Sequence, residues 1–391
     1  MAATELRDVT YMFTQLQLEL EEGGIRKFKT FDEYLRHVVS DFKHYFKDIS
    51  SLSNIIGLGT LAYEHAFIKR TETWSKPYLI GFLNEYESAK SRSKEQVLEY
   101  LSYFAADIDI AFRHVSHISQ LHNEMLKIED DIWIRSCFRD LADLIEVAIL
   151  PFAKLRLKLI SIIDPKKRIP VDIGSQEAGN IFAILSDIDS ELYKPHPFNI
   201  SLSQWRNIAH HSSYIIKDNN ITCNYGKKDN LKSLTCTREE LLKVSVHANK
   251  VFYLHRAAYE IFGIDNYKLI TPKLNEKNIL IEYTDMSYWA TIVLGIVASG
   301  FKIKKAAYKD FRWAFVLSDV LKRSKVKANA DLQRAFVPYL LISRKSPQIY
   351  AFVESGNKNF YLSFNCLLVP EEKITKDTQG LKIGSGFLPR S

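Results

Sequence analysis

Apolar residues recur at intervals of three and four along most of the first two thirds of the chain, the period of a helix that buries one face. Phe31, Tyr34, Leu35, Val38 and Val39 follow it, as do Val97, Leu98, Tyr100, Leu101 and Phe104. The polar, basic stretch at 91–94 reads as a connection between helices, and no fixed repeat suggests a solenoid. Residues 131–163 continue as a long helical stretch in which Leu141, Leu144, Ile145, Ala148, Ile149, Phe152 and Leu155 share one stripe. Pro151 lacks an N–H and should kink or split it. A basic segment at 164–170, bounded by Pro165 and Pro170, reads as an exposed loop. Further helices are expected at 177–192, 202–212 and 237–262. Between the last two, alternating residues at 214–216 and 221–225 predict a short β-hairpin.

Beyond residues 263–265 the period changes. Segments 279–283, 348–353 and 360–364 read as strands, with a helix over 288–300, and residues 380–391 carry no pattern. The expected organisation is an N-terminal helical region (1–127), a helical bundle with a short β-hairpin (128–267) and a small C-terminal α+β domain (268–391). The fold class is mainly α.

Composition agrees with that reading. The chain has 391 residues, 46% hydrophobic and 25% charged, the balance of a globular protein. Glycine (15) and proline (11) are sparse, which favours long helices over a many-turned β fold. A net charge of +7 tolerates a polyanionic partner without demanding one, because acidic and basic residues are interleaved. The four cysteines, Cys137, Cys223, Cys236 and Cys366, form no CxxC pair, so neither a disulfide framework nor a zinc site is expected. The N-terminus carries no signal pattern, and the apolar run at 288–301 is too short to span a bilayer. A cytoplasmic protein without a membrane partner is expected.

Candidate chemistry gathers at Trp205-Arg206-Asn207-Ile208-Ala209-His210-His211. On a helix with Arg206 at 0°, His210 falls at about 40°, Asn207 at about 100° and His211 at about 140°. Ile208, Trp205 and Ala209 fall at about 200°, 260° and 300°, so a polar face has an apolar back. Ser201-Leu202-Ser203-Gln204 has the spacing of a capping box to start the helix. Near neutral pH a histidine can take a proton from an RNA 2′-hydroxyl or give one to the leaving 5′-oxygen. An arginine can grip the phosphate through paired donors, and an asparagine can orient either group. No metal or cofactor is required. General acid and base must flank the phosphorus from opposite sides, and a two-fold homodimer would supply the second set.

Arg206-Asn207-Ile208-Ala209-His210-His211 resembles the R-N-x-x-x-H signature of HEPN-domain proteins, with Arg206, Asn207 and His211 at the matching positions. The resemblance covers roughly residues 128–265. It implies a small helical bundle with the motif on a late helix, and a metal-independent endoribonuclease that is often dimeric. It further implies a toxic effector of antiviral defence or abortive infection, with RNA as substrate and a regulatory or antitoxin protein as partner. Members of the R-x4-H-x-Y class carry a tyrosine two residues after the histidine. Here that residue is Ser213 and Tyr214 follows, so a tyrosine modification is not carried over. His211 is the expected general acid/base, with His210 and Tyr214 as auxiliaries. The alternative is a non-catalytic HEPN-like module that binds RNA, nucleotide or a partner protein, or a scaffold of a larger complex.

Lys166, Lys167 and Arg168, and the basic run at 322–327, could hold an RNA backbone or be solvated loops. His114, His117 and His122 share a predicted helix, on which His114 and His117, three residues apart, could share a metal, but no third ligand stands at compatible spacing. Metal is therefore expected at none of these positions.

Overall fold

Helix dominates the chain, as the three-and-four periodicity requires. The computed structural model describes residues 7–365 apart from 9, 23, 28–30, 48–57, 125–129, 168, 171, 218–219, 228–229, 277–284, 310–311, 337–347 and 357. In chain order the first elements are β1 (Arg7–Asp8), α1 (Thr10–Glu22), α2 (Phe31–Phe42), α3 (Leu58–Arg70), α4 (Glu72–Arg92), α5 (Lys94–Glu124) and α6 (Asp130–Asp143). After a π-helical turn at Leu144–Ile149 come α7 (Leu150–Ile163), α8 (Ala178–Ile188), α9 (Ser190–Tyr193) and α10 (Leu202–His210). Next are β2 (Tyr214–Lys217), β3 (Asn220–Lys227), β4 (Asn230–Thr237), α11 (Arg238–Asp265) and α12 (Tyr267–Glu276). The last are α13 (Asp285–Ala298), β5 (Phe301–Lys309), β6 (Arg312–Asp319), α14 (Lys325–Ala335), β7 (Gln348–Ser355) and β8 (Lys358–Asn365). No helix among the described residues is long and apolar enough to cross a membrane.

The chain divides into two compact units, and they run differently from the three consecutive segments expected. One comprises Met1–Lys76, Gly263–Asp265 and Tyr283–Ser391; the other comprises Pro77–Phe262 and Asn266–Glu282.

In the first unit the sheet order is β1-β5-β6-β7-β8. Chain N-terminus and C-terminal region thus share one sheet, with Arg7 opposite Tyr308 and Asp8 opposite Ala307. Strands β6 and β7 are parallel, which a tight turn cannot connect; α14 lies between them in sequence. Helix α1 packs on β5, and at the irregularity between Ile303 and Lys305 the Ile303 N–H donates to Gln17 Oε1 at 2.7 Å. Phe13 meets Trp313 at 5.4 Å between ring centres, and Trp313 stacks on Phe315. Strands β7 and β8 and helix α13 fall where the pattern put them; β5 and β6 were not anticipated, and segment 279–283 lies outside the described residues, as do Cys366 and 380–391.

The basic run at 322–327 belongs to this unit and corrects one expectation. Arg323, 6% exposed, is not offered to a polyanion. Its guanidinium donates to Asp319 Oδ1, Asp331 Oδ2 and the Ser299 carbonyl. Two carboxylates already neutralise it.

The second unit is the helical one. All seven residues of the predicted stripe, Leu141 to Leu155, are buried. Pro151 sits near the start of α7 and the preceding turn widens, so that the Leu150 N–H reaches the Ile145 carbonyl, five residues back. The wide turn stands where a break was expected. It accommodates the missing donor without ending the helix. Helix α11 begins with a closed capping box: Thr237 Oγ1 accepts from the Glu240 N–H at 3.2 Å, and Glu240 Oε2 accepts from the Thr237 N–H at 2.9 Å. The predicted hairpin is two strands of a three-stranded antiparallel sheet, β2-β3-β4.

Candidate functional site

Helix α10 keeps the two-faced character its sequence predicts. Trp205 and Ile208 are buried, Arg206 and Asn207 half-buried, and His210 and His211 exposed. Trp205 meets Phe198 edge-on at 5.5 Å, and α10 packs against α6, α8, β3 and the π turn. Those neighbours fix the rotation of the helix and hence the direction of its polar face.

Both ends of α10 depart from or refine the expectation. The Ser201 capping box does not close: Ser201 Oγ hydrogen-bonds Ser203 Oγ at 2.8 Å, and Gln204 Oε1 accepts from the Gly226 N–H on β3 at 3.3 Å. Gln204 ties the helix start to the small sheet instead. At the other end His211 is the C-cap, one residue beyond the helix. The Ser212 N–H donates to the Ala209 carbonyl and the Ser213 N–H to the Ile208 carbonyl, the two bonds of a Schellman ending. Ser212 takes the left-handed position, φ 47°, that glycine fills at lower cost. The His211 N–H still donates to the Asn207 carbonyl at 3.0 Å, and the residue is exposed.

The π turn contributes a residue that local sequence could not reveal. Glu146 Oε1 accepts from Arg206 Nη2 at 2.6 Å, and Oε2 accepts from Arg206 Nε at 3.0 Å and His210 Nε2 at 2.5 Å. Arg206 Nη1 also donates to Asn207 Oδ1 at 3.1 Å. Arg206, Asn207, His210 and Glu146 therefore form one hydrogen-bonded set. The Arg206 hydrogen bond is the leading reason that the Glu146 carboxyl is held below the usual glutamate range; His210 adds to it, and partial burial opposes it. The only sequence signal for Glu146 is an acidic residue on an otherwise apolar stretch beside Pro151. Local widening of a helix often re-aims a side chain at a functional position.

Of the five N–H donors of a guanidinium, these bonds engage three on Arg206 and leave two. His210 has one ring nitrogen committed to Glu146. No hydrogen bond or ion pair engages the His211 ring among the described residues. Arg206 thus keeps two guanidinium donors outside these bonds, and the exposed His211 ring stands outside the hydrogen-bonded set.

The remaining sequence candidates lie apart from this set. Tyr214 is on β2 with its ring stacked on Phe138 at 4.2 Å, and burial raises its hydroxyl pKa. Its part is packing. Lys166 and Lys167 are exposed in the turn after α7, where the Lys166 N–H donates to Asp164 Oδ1. No hydrogen bond or ion pair joins them to Arg206 among the described residues, and Arg168 lies outside those residues. The side chains of His114, His117 and His122 also lie outside them.

Comparison with family models, with curated proteins and with solved structures finds no match to this chain.

Proposed function

We propose that the polar face of α10 is half of the active site of a metal-independent endoribonuclease, and that a homodimer completes it. In this reading the second unit is a HEPN-like bundle. His211 acts as general acid/base on the 2′-hydroxyl or the 5′-oxygen, and the Arg206 guanidinium stabilises charge that grows on the phosphate. Asn207 positions Arg206. Glu146 orients Arg206 and His210 rather than reacting. The observation that carries the reading is the set built on one rigid helix: a guanidinium held flat by Glu146 and Asn207, with two donors to spare, five residues before an open imidazole. Rigid support of this kind distinguishes a site from a solvated charged surface. The role in antiviral defence and a regulatory or antitoxin partner rest on the sequence resemblance alone.

One observation favours the rival, a binding module without catalysis: Glu146 already neutralises Arg206, which weakens its pull on a phosphate. The test is cleavage of labelled RNA by purified full-length protein in EDTA, wild type against Arg206→Ala and His211→Ala. Loss of His211 should slow cleavage by about 10²–10⁴-fold, the usual worth of a general acid/base. Loss of Arg206 should cost about 10²–10³-fold. Equal rates in all three proteins, or RNA binding without cleavage in the wild type, would overturn the nuclease reading.

A further inference from the structure

A second cluster of histidines lies in the other compact unit. His37 and Asp41 are one turn apart on α2, and His65 and Lys69 are one turn apart on α3. The two pairs converge on one carboxylate oxygen. Asp41 Oδ2 lies 2.9 Å from His65 Nε2, 3.3 Å from His37 Nε2 and 2.9 Å from Lys69 Nζ. Lys69 Nζ also stands 3.0 Å from His37 Nε2. The His65 ring is only 3% exposed, with its Nε2 aimed into the cluster, whereas His37, Asp41 and Lys69 reach solvent. The His65 ring is held by Phe42, whose ring meets it edge-on at 5.4 Å.

Two features distinguish this arrangement from a surface ion pair. Donor atoms about 2.0–2.2 Å from a tetrahedral metal ion stand about 3.3–3.6 Å from one another; the His37–Asp41 spacing of 3.3 Å is of that size, and the His65–Asp41 spacing of 2.9 Å is a few tenths of an ångström shorter. The ligand atoms of all three residues lie within 4.8 Å of one another. The lysine is equally informative. An ammonium has only donors, so His37 Nε2 and Asp41 Oδ2 both turn lone pairs toward the one cation. Lys69 is the internal stand-in for a cation, and it is mounted on a flexible, 44% exposed stem that can swing into water.

We propose that His37, Asp41 and His65 form a binding site for a divalent first-row transition metal ion, zinc foremost, which enters by displacing the Lys69 ammonium. Two imidazoles and one carboxylate with a fourth position open to solvent are a donor set for such ions. The His65 ring proton, which Nε2 now gives to Asp41, moves to Nδ1 and frees the Nε2 lone pair for the metal. Nδ1 has no hydrogen-bond partner among the described residues, so the shift breaks no bond there. Sequence reading passed over the site because its two halves are separate i,i+4 pairs, each too short to signal a ligand set.

The test is calorimetric titration of the full chain with Zn²⁺, supported by visible absorption after loading with Co²⁺. The wild type should take up one Zn²⁺ at this site. His37→Ala and Asp41→Asn should each weaken that binding by at least about tenfold, the lower bound seen even for indirect supports of a ligand. Lys69→Met should tighten it, because the competing cation is gone. His37 and Asp41 are part-exposed, so these variants should disturb the fold less than His65→Ala, and circular dichroism checks that each is folded. No saturable uptake by the wild type, uptake indifferent to His37→Ala and Asp41→Asn, or unchanged affinity in Lys69→Met would each overturn the proposal.

Discussion

Two arginines of the helical unit, Arg156 and Arg206, each grip a glutamate through Nε and Nη2, yet they stand in opposite surroundings. Arg156 donates to both Glu85 oxygens at 2.7 Å, and also to Asp189 and, at 3.2 Å, to the Tyr193 hydroxyl. Its guanidinium lies over the Phe82 ring at 4.2 Å, and its side chain is 6% exposed. Tyr193, which accepts from Arg156, donates in turn to His255 Nε2 at 2.8 Å. Arg206 is 26% exposed and shares its glutamate with an exposed His210. The buried pair engages four of the five guanidinium donors on protein and ties α4, α7, α9 and α11 together. The surface pair leaves donors and an imidazole facing water. The same ion pair is a structural fastening in one place and a presented face in the other, and burial makes the difference.

The largest effect on folding should come from Arg156→Met, which strands Glu85 and Asp189 beside an apolar side chain. Removing one partner of a buried ion pair costs about 3–5 kcal/mol, and the partial exposure of both carboxylates places this one at about 3. Urea unfolding measures it. A loss no larger than that of Arg206→Ala, itself expected at about 1 kcal/mol or less, would erase the contrast.

A pH dependence follows next in size. Burial first, and the Arg156 charge second, hold His255 well below the ordinary histidine pKa of 6.5. Above pH 6.5 the ring is neutral whether folded or unfolded and contributes no slope. Below it the unfolded chain binds a proton that the folded chain refuses, so stability falls as pH drops, by about 1.4 kcal/mol per pH unit for one group. His65 and His247 are lowered in the same direction, each by burial first. His255→Gln keeps an acceptor for Tyr193 and should remove one proton's share of the slope in unfolding curves between pH 6.5 and 5. An unchanged slope would mean that His255 takes up its proton in the folded state. Glu146 acts with the same sign but lower in pH. Its contribution is present above the ordinary glutamate pKa and is lost as pH falls through its lowered folded value.

The smallest effect is at the end of α10. Ser212→Gly should stabilise by about 0.5–1 kcal/mol, the relief of a left-handed serine less the entropy glycine adds to the unfolded chain. Urea unfolding that shows a loss instead would mean that Ser212 is held there by contacts worth more than the strain.

What the sequence made legible follows from how local each signal is. The Leu141–Leu155 stripe and the two faces of α10 are written in a period of a few residues, and both are present. A capping box also closes at Thr237, with the same spacing as Ser201–Gln204. The identical spacing at Ser201 misled, because Gln204 has a better acceptor role with the Gly226 N–H of β3, which lies beyond the capping-box window. Strand β4 escaped notice because it is mostly exposed and lacks apolar alternation. The pairing of Arg7 and Asp8 with β5, and of Glu146 with Arg206, joins residues far apart in sequence, where no periodicity reports on contact. Three of the four members of the polar cluster were therefore readable, and the carboxylate that organises it was not.

The central claim, that the open arginine–histidine face turns RNA's own 2′-hydroxyl on its phosphate, is tested most directly by the ends it leaves. RNA treated with the wild-type protein in EDTA should carry 2′,3′-cyclic phosphate and 5′-hydroxyl termini, absent when His211→Ala is used at equal folded concentration. Termini with 3′-hydroxyl and 5′-phosphate, or cleavage by His211→Ala at the wild-type rate, would contradict the account.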